Sequence, residues 1–105
     1  MIALTLEQIA KIVGGKTFGD SSKVISATPV FDSREASKGS LFLALVGQSS
    51  DGHNFTDDAQ SRGATGCLTT REVPGNGVVV SDVLIAVRAL ATYVLKLLPE
   101  LKVIA

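Results

Sequence analysis

Tryptophan is missing from this 105-residue chain, and tyrosine, histidine and cysteine each occur once. A single cysteine permits no internal disulfide, and a reducing, cytoplasmic setting is the matching expectation. With His53 as the lone histidine, no His pair or His-Cys cluster can be assembled at ligating spacing, so no metal site is expected. Net charge is missing as well: ten basic and ten acidic side chains cancel. No run of Lys or Arg gathers, which removes the electrostatic footprint of a nucleic-acid binder. No apolar stretch approaches the ~18–20 residues of a membrane span, so no membrane partner is expected. Met1-Ile2-Ala3-Leu4 gives way at once to Thr5 and Glu7, which is not the pattern of a signal peptide.

What is present is apolar. Hydrophobic residues make up 46% of the chain and charged residues 19%, a balance that supports a buried core and one domain over residues 1–105. Leu6, Ile9, Ala10 and Val13 fall on one helix face, Thr5 with Gln8 forms a capping-box start, and Gly14-Gly15 stops the helix. A polar loop around Asp20-Ser21-Ser22-Lys23 leads into strand-like residues Val24 to Phe31, where Pro29 argues for an edge or a bulge. Ser40 to Val46 is an almost continuous apolar run, the pattern of a strand buried on both faces.

Asn54 can cap a short helix through about Arg62, with Asp57 and Asp58 in its favourable first turn and Gly63 at its end. Gly66-Cys67-Leu68-Thr69 and Gly77-Val78-Val79-Val80 read as two central strands separated by the Pro74-Gly75-Asn76-Gly77 turn. Asp82 can cap a long helix whose Leu84, Val87, Ala91, Val94 and Leu98 form one apolar stripe, with Arg88, Thr92 and Lys96 opposite and Pro99 marking the end. Alternation at these spacings predicts an α/β fold, a layered domain with a mixed, mostly parallel sheet flanked by helices. Lys102 to Ala105 reads as the start of a further buried strand, the expectation being a domain excised from a longer protein.

Two chemically suggestive features have plain explanations. Gly14-Gly15-Lys16-Thr17 resembles the end of a phosphate-binding loop, but Ala10 holds the place of its first glycine and the segment follows a helix instead of a strand. A glycine helix stop suffices. Cys67 lies among small and apolar residues with nothing to activate its thiol, so it reads as a structural cysteine, and no catalytic residue is assigned.

The informative stretch is Phe31-Asp32-Ser33-Arg34, then Gly39 to Gly47, then Asp51-Gly52-His53-Asn54-Phe55, then Gly63-Ala64. Two polar clusters at the ends of adjacent buried strands are what a small-ligand cleft in an α/β sheet requires. The order D-S-R, G-x-L-F-x-A-x-x-G, D-G-H-x-F and G-A resembles the amino-terminal domain of the murein peptide ligases. The opening Leu4 to Ala10 followed by Gly14-Gly15, with the full Asp51 to Phe55 string, is similar to the members that add D-alanyl-D-alanine. Two rivals are the members that add the third stem-peptide residue and a non-enzymatic interaction module of like fold.

The resemblance implies a domain that clamps the uridine end of UDP-N-acetylmuramoyl-tripeptide. ATP and magnesium would be held by a central domain and the incoming amino component brought by a carboxy-terminal domain, both outside this chain, so the fragment itself would need no cofactor and would lack ligase activity. It places uracil contacts at Phe31, Ser33, Gln48, Ser49 and Ser50. Arg34 has two readings: facing the ligand diphosphate, or pairing with Asp32 or Asp51 to brace the two loops, the preferred one. Asp51-Gly52 turns the chain between strand and helix, and His53 fixes that loop by hydrogen bonds.

Overall fold

The computed structural model describes residues 3–47 and 50–96. The chain opens with β1 (Leu4–Thr5) and α1 (Leu6–Val13). The Thr5 hydroxyl accepts the Gln8 amide at 3.1 Å, and the Gln8 side chain accepts the Thr5 amide at 2.8 Å, a closed capping box. Gly14 ends α1 in the left-handed conformation at φ 71°, where a side chain would be strained. Lys16 and Thr17 then enter β2 (Lys16–Phe18), so Gly14-Gly15-Lys16-Thr17 is a helix stop running into a strand.

β3 (Val24–Ile25) pairs antiparallel with β1. The strand expected over Val24 to Phe31 is therefore much shorter. The Ser26 and Ala27 amides both turn to the Gly39 carbonyl, at 2.9 and 3.1 Å. Beyond Pro29, which has no amide to offer a ladder, Val30 alone rejoins through a parallel bridge to Phe42. The run at Ser40 to Val46 supplies β4 (Leu41–Leu43), all three residues buried, and the ladder stops short of Val46.

α2 (Thr56–Ser61), β5 (Gly66–Thr69), β6 (Gly77–Val79) and α3 (Val83–Lys96) complete the described elements. The main sheet runs β2-β6-β5-β4. Its β4–β5 and β5–β6 pairs are parallel and its β2–β6 pair is antiparallel, giving a mixed sheet with β5 and β6 in the centre.

Period-two alternation sorts the strand side chains onto two faces. Leu41, Leu43, Leu68 and Val78 pack with Leu6 and Ile9 of α1 and with Val83, Ala86 and Leu90 of α3. Phe42 and Cys67 point the other way, into a smaller cluster with Ala59 of α2 and Ala64. The helix pair α1/α3 thus covers one face and α2 the other, which is the layered α/β fold.

Two helix assignments change. Asn54 does not cap a helix: Asp51 accepts the His53 amide and starts a 3-10 turn, Gly52–Phe55, that runs directly into α2, whose own start at Phe55 has no side-chain cap. An earlier aspartate captures the free amides before Asn54 can. In α3, Asp82 does cap, accepting the Ile85 amide at 3.2 Å. The buried stripe, however, is Val83, Ala86 and Leu90, while Leu84 of the expected stripe is 63% exposed. Leu98, Pro99 and the expected strand at Lys102 to Ala105 lie outside the described residues.

Candidate functional site

The parallel strands β4, β5 and β6 deliver loops to one edge of the sheet, and two polar turns meet beside β4. The first is the 3-10 turn Ser33–Glu35, capped by Asp32, which accepts the Arg34 amide at 2.9 Å. The Asp32 carboxylate also accepts two hydrogen bonds from one edge of the Arg34 guanidinium, Nε at 3.1 Å and Nη2 at 2.8 Å. These hydrogen bonds, Arg34 first, hold the Asp32 carboxyl down at about 2. Of the two partners expected for Arg34, the described geometry gives it Asp32 alone, within its own turn.

The second turn follows β4. Gly47 donates to the Ser50 carbonyl at 2.8 Å, Val46 bridges Asp51, and Gly52 donates to the Leu45 carbonyl at 2.7 Å. Gly52 lies so close to the chain leaving β4 that an added Cβ would sit 2.7 Å from the Leu45 nitrogen and 2.9 Å from the Ala44 Cα. Only glycine permits that approach.

His53 is buried and used at both ring nitrogens. Nδ1 lies 2.6 Å from the Asp51 carboxylate, and Nε2 accepts the Thr70 backbone amide at 3.0 Å. Because a backbone amide can only donate, Nε2 carries no proton and Nδ1 donates to Asp51. Asp51 is held below the ordinary carboxylate range by the hydrogen bonds of His53, amide first, with Arg71 Nη1 adding an ion pair at 3.4 Å. The Asp51 turn is thereby tied to the end of β5.

The turns share a groove of about 760 Å³. Phe31, Ser33 and Arg34 enter it from the first turn, and Gly47, Ser50 and Gly52 from the second. Gln48 and Ser49 lie outside the described residues. Ser33 is buried, whereas Phe31 is 70% exposed with its ring beside the groove. An aromatic that packs so little of its surface contributes little to folding and leaves a ring face available.

Sequence reasoning missed three groups on the far wall: Phe55, Asp58 and Arg62. Asp58 and Arg62 form an i,i+4 pair with Arg62 Nε 3.0 Å from Asp58 Oδ2. The Ser33 hydroxyl, first, and Arg62 lower the pKa of Asp58, in keeping with the packing of the Ser33–Glu35 turn against α2. The i,i+4 spacing was readable, but that it faces Ser33 is a tertiary fact. Both arginines of the groove are matched by carboxylates, which leaves it close to neutral and suited to an uncharged polar ring more than to a bare anion.

Among the described residues no three His, Cys, Asp or Glu side chains gather as they would around a metal. Lys16 and Thr17 are committed to β2, so Gly14-Gly15-Lys16-Thr17 does not form a phosphate-binding loop. Cys67 is fully buried and its thiol is pushed up to about 12, by burial first. Among the described residues no helix is long and apolar enough to cross a membrane.

A family model described as the Mur ligase family, catalytic domain, matches residues 30–94, a span that includes both turns. The UDP-N-acetylmuramoyl-tripeptide--D-alanyl-D-alanine ligase of Mycobacterium bovis is 41% identical over 88 residues, covering 79% of this chain and 17% of that protein. The enzyme of the same name from Escherichia coli K12 is 33% identical over 101 residues, 94% of this chain and 22% of that protein. Among solved structures, MurF from Acinetobacter baumannii superposes with a TM-score of 0.78 at 27% identity, over 89% of this chain and 21% of that one. The chain spans about a fifth of the length of these relatives.

Proposed function

The chain belongs to the Mur ligase family, and from that premise we propose that it is the substrate-recognition domain of the ligase that joins D-alanyl-D-alanine to UDP-N-acetylmuramoyl-tripeptide in cytoplasmic peptidoglycan precursor synthesis. The observation that carries the reading is the convergence of the D-S-R turn and the Gly47–Gly52 turn on one groove with the Phe31 ring exposed beside it. The choice of the D-alanyl-D-alanine-adding ligase is supported by the names of the relatives above and by the Leu4 to Ala10 opening.

Uracil presents two carbonyl acceptors and one N–H donor on a flat ring. Phe31, with Phe55 across the groove, offers aromatic surface to the ring faces, while the Ser33 and Ser50 hydroxyls and Gln48 and Ser49 supply edge donors and acceptors. Arg34 uses Nε and Nη2 on Asp32, and its Nη1, which has no partner among the described residues, is positioned to meet the diphosphate as the nucleotide leaves the groove. The Asp51-Gly52-His53 unit acts through position: it fixes the second turn against β4 and β5.

Activation of the peptide carboxylate by ATP and magnesium belongs to parts of the ligase beyond this chain. The 105 residues by themselves bind substrate without turning it over. Calorimetric titration of the chain with UDP, CDP and ADP tests the reading: UDP is expected to bind most tightly, and equal affinity for all three would remove uracil recognition.

A further inference from the structure

α3 is apolar on two sides. Val83, Ala86 and Leu90 face the sheet, but a second stripe through Leu84, Val87, Ala91, Val94 and Leu95 is displaced by roughly a quarter turn around the helix. Val87 and Val94 rest against the edge of the core, but Ala91 is exposed and Leu84 and Leu95 are 63% and 57% exposed, so the outer part of this stripe is uncovered. Its C-terminal half lines a groove of about 440 Å³ with Pro29 and Leu43 on the opposite wall and scarcely a polar atom within it. A surface helix burying one face has one apolar stripe, and a contiguous exposed patch beside a second one marks an interface.

We propose that this second stripe of α3, with Pro29 and Leu43, is the docking face for another domain of the same ligase polypeptide. The inference rests on the reading of the chain as part of a longer ligase: its relatives carry about four-fifths of their length outside the matched region. Charge argues for the same class of partner. Arg88, Thr92 and Lys96 lie on the outer side of α3 and none lines the groove, so the surface has no charge pattern with which to select a nucleic acid or an acidic peptide. It resembles the apolar centre of an interdomain contact.

Thiol footprinting reads this out directly, because Cys67 is fully buried and silent. Ala91→Cys and Leu95→Cys report the groove, and Thr92→Cys reports the outer face. Each is placed both in the 105-residue chain and in the full-length ligase, and its maleimide reaction rate is measured. Positions 91 and 95 are expected to slow by about tenfold or more in the full-length protein, with position 92 changing less than about twofold, since reaction follows thiol access. Equal rates at 91 and 95 in the two proteins would overturn the proposal. So would protection that already occurs in the 105-residue chain and grows with its concentration, which would assign the face to a second copy.

Should Ala91→Cys disturb packing, Leu95→Cys and hydrogen exchange of the α3 amides in the unsubstituted proteins give the same comparison. UDP titration of the same samples separates the two readings. Protection without UDP binding sinks the uridine pocket alone, and UDP binding without protection sinks the docking face alone.

Discussion

His53 Nε2 accepts the Thr70 backbone amide at 3.0 Å while its other ring nitrogen meets Asp51 at 2.6 Å. One buried ring therefore joins the turn after β4 to the end of β5. Removing it leaves a buried amide without a partner and a cavity where the ring was. His53→Ala is expected to destabilise the chain by roughly 2–4 kcal/mol, read as a lower urea midpoint at neutral pH. An unchanged midpoint would mean that this ring does not fasten the turn.

Gly52 packs against the backbone of Leu45 and Ala44, which cannot rotate out of the way as a side chain could. Gly52→Ala must push the second turn off β4, at a cost of about 1–3 kcal/mol typical of overpacking. The loss should be accompanied by amide shift changes at Leu45 and Ser50. At Gly47 the nearest atom to an added Cβ is 3.5 Å away, so Gly47→Ala should be tolerated and serves as the comparison.

Asp32, Asp51 and Asp58 are all held below 3.8 in the folded chain, Asp32 at about 2. A carboxylate with a depressed folded pKa contributes stability that is present above its unfolded value and is lost as pH falls through the folded one. The Asp32 contribution should therefore fade between pH 3.8 and about 2. Urea midpoints measured down this range should fall, and Asp32→Asn should flatten part of the fall. A profile identical in the variant would contradict the assignment. Because the Asp32 side chain is only partly buried and its partner Arg34 is exposed, the effect is small and should shrink further in salt.

Phe31 is 70% exposed and contributes little to the core. Phe31→Ala should leave the thermal midpoint within about 2–4 °C of the parent, since surface changes stay near ±0.5 kcal/mol. UDP affinity should fall, because stacking of a base on an aromatic ring is worth about 1–3 kcal/mol. Loss of stability with no loss of affinity would reverse the role given to this ring.

Local signals in the sequence carried much of this fold. The Thr5–Gln8 box, the Gly14 stop, the Asp82 cap and the central strands at Gly66 and Gly77 depend on neighbours a few residues away, and all are present. β2 was illegible because Lys16–Phe18 is three residues long, two of them polar, and a strand only by virtue of Gly77–Val79 across from it. The α3 stripe was only partly right, Val87 and Val94 resting on the core but Leu84 exposed, because periodicity reports that a face is apolar and not which apolar face meets the sheet. At the groove, the D-S-R and D-G-H turns could be read as motifs. Phe55, Asp58 and Arg62 could not be assigned to it, since their place opposite Ser33 is set by the packing of α2.

The most direct measurement follows the backbone amides of Ser33 and Ser50 by NMR while UDP is added to the 105-residue chain, alongside its Ser33→Ala variant. Both amides should shift together along one saturable curve, with the α1 and α3 amides unmoved. The variant should bind about fivefold more weakly, the equivalent of ~1 kcal/mol for one lost hydrogen bond. Ser33 and Ser50 amides that stay still at saturating UDP, or shifts centred on another part of the molecule, would contradict uridine recognition in this groove.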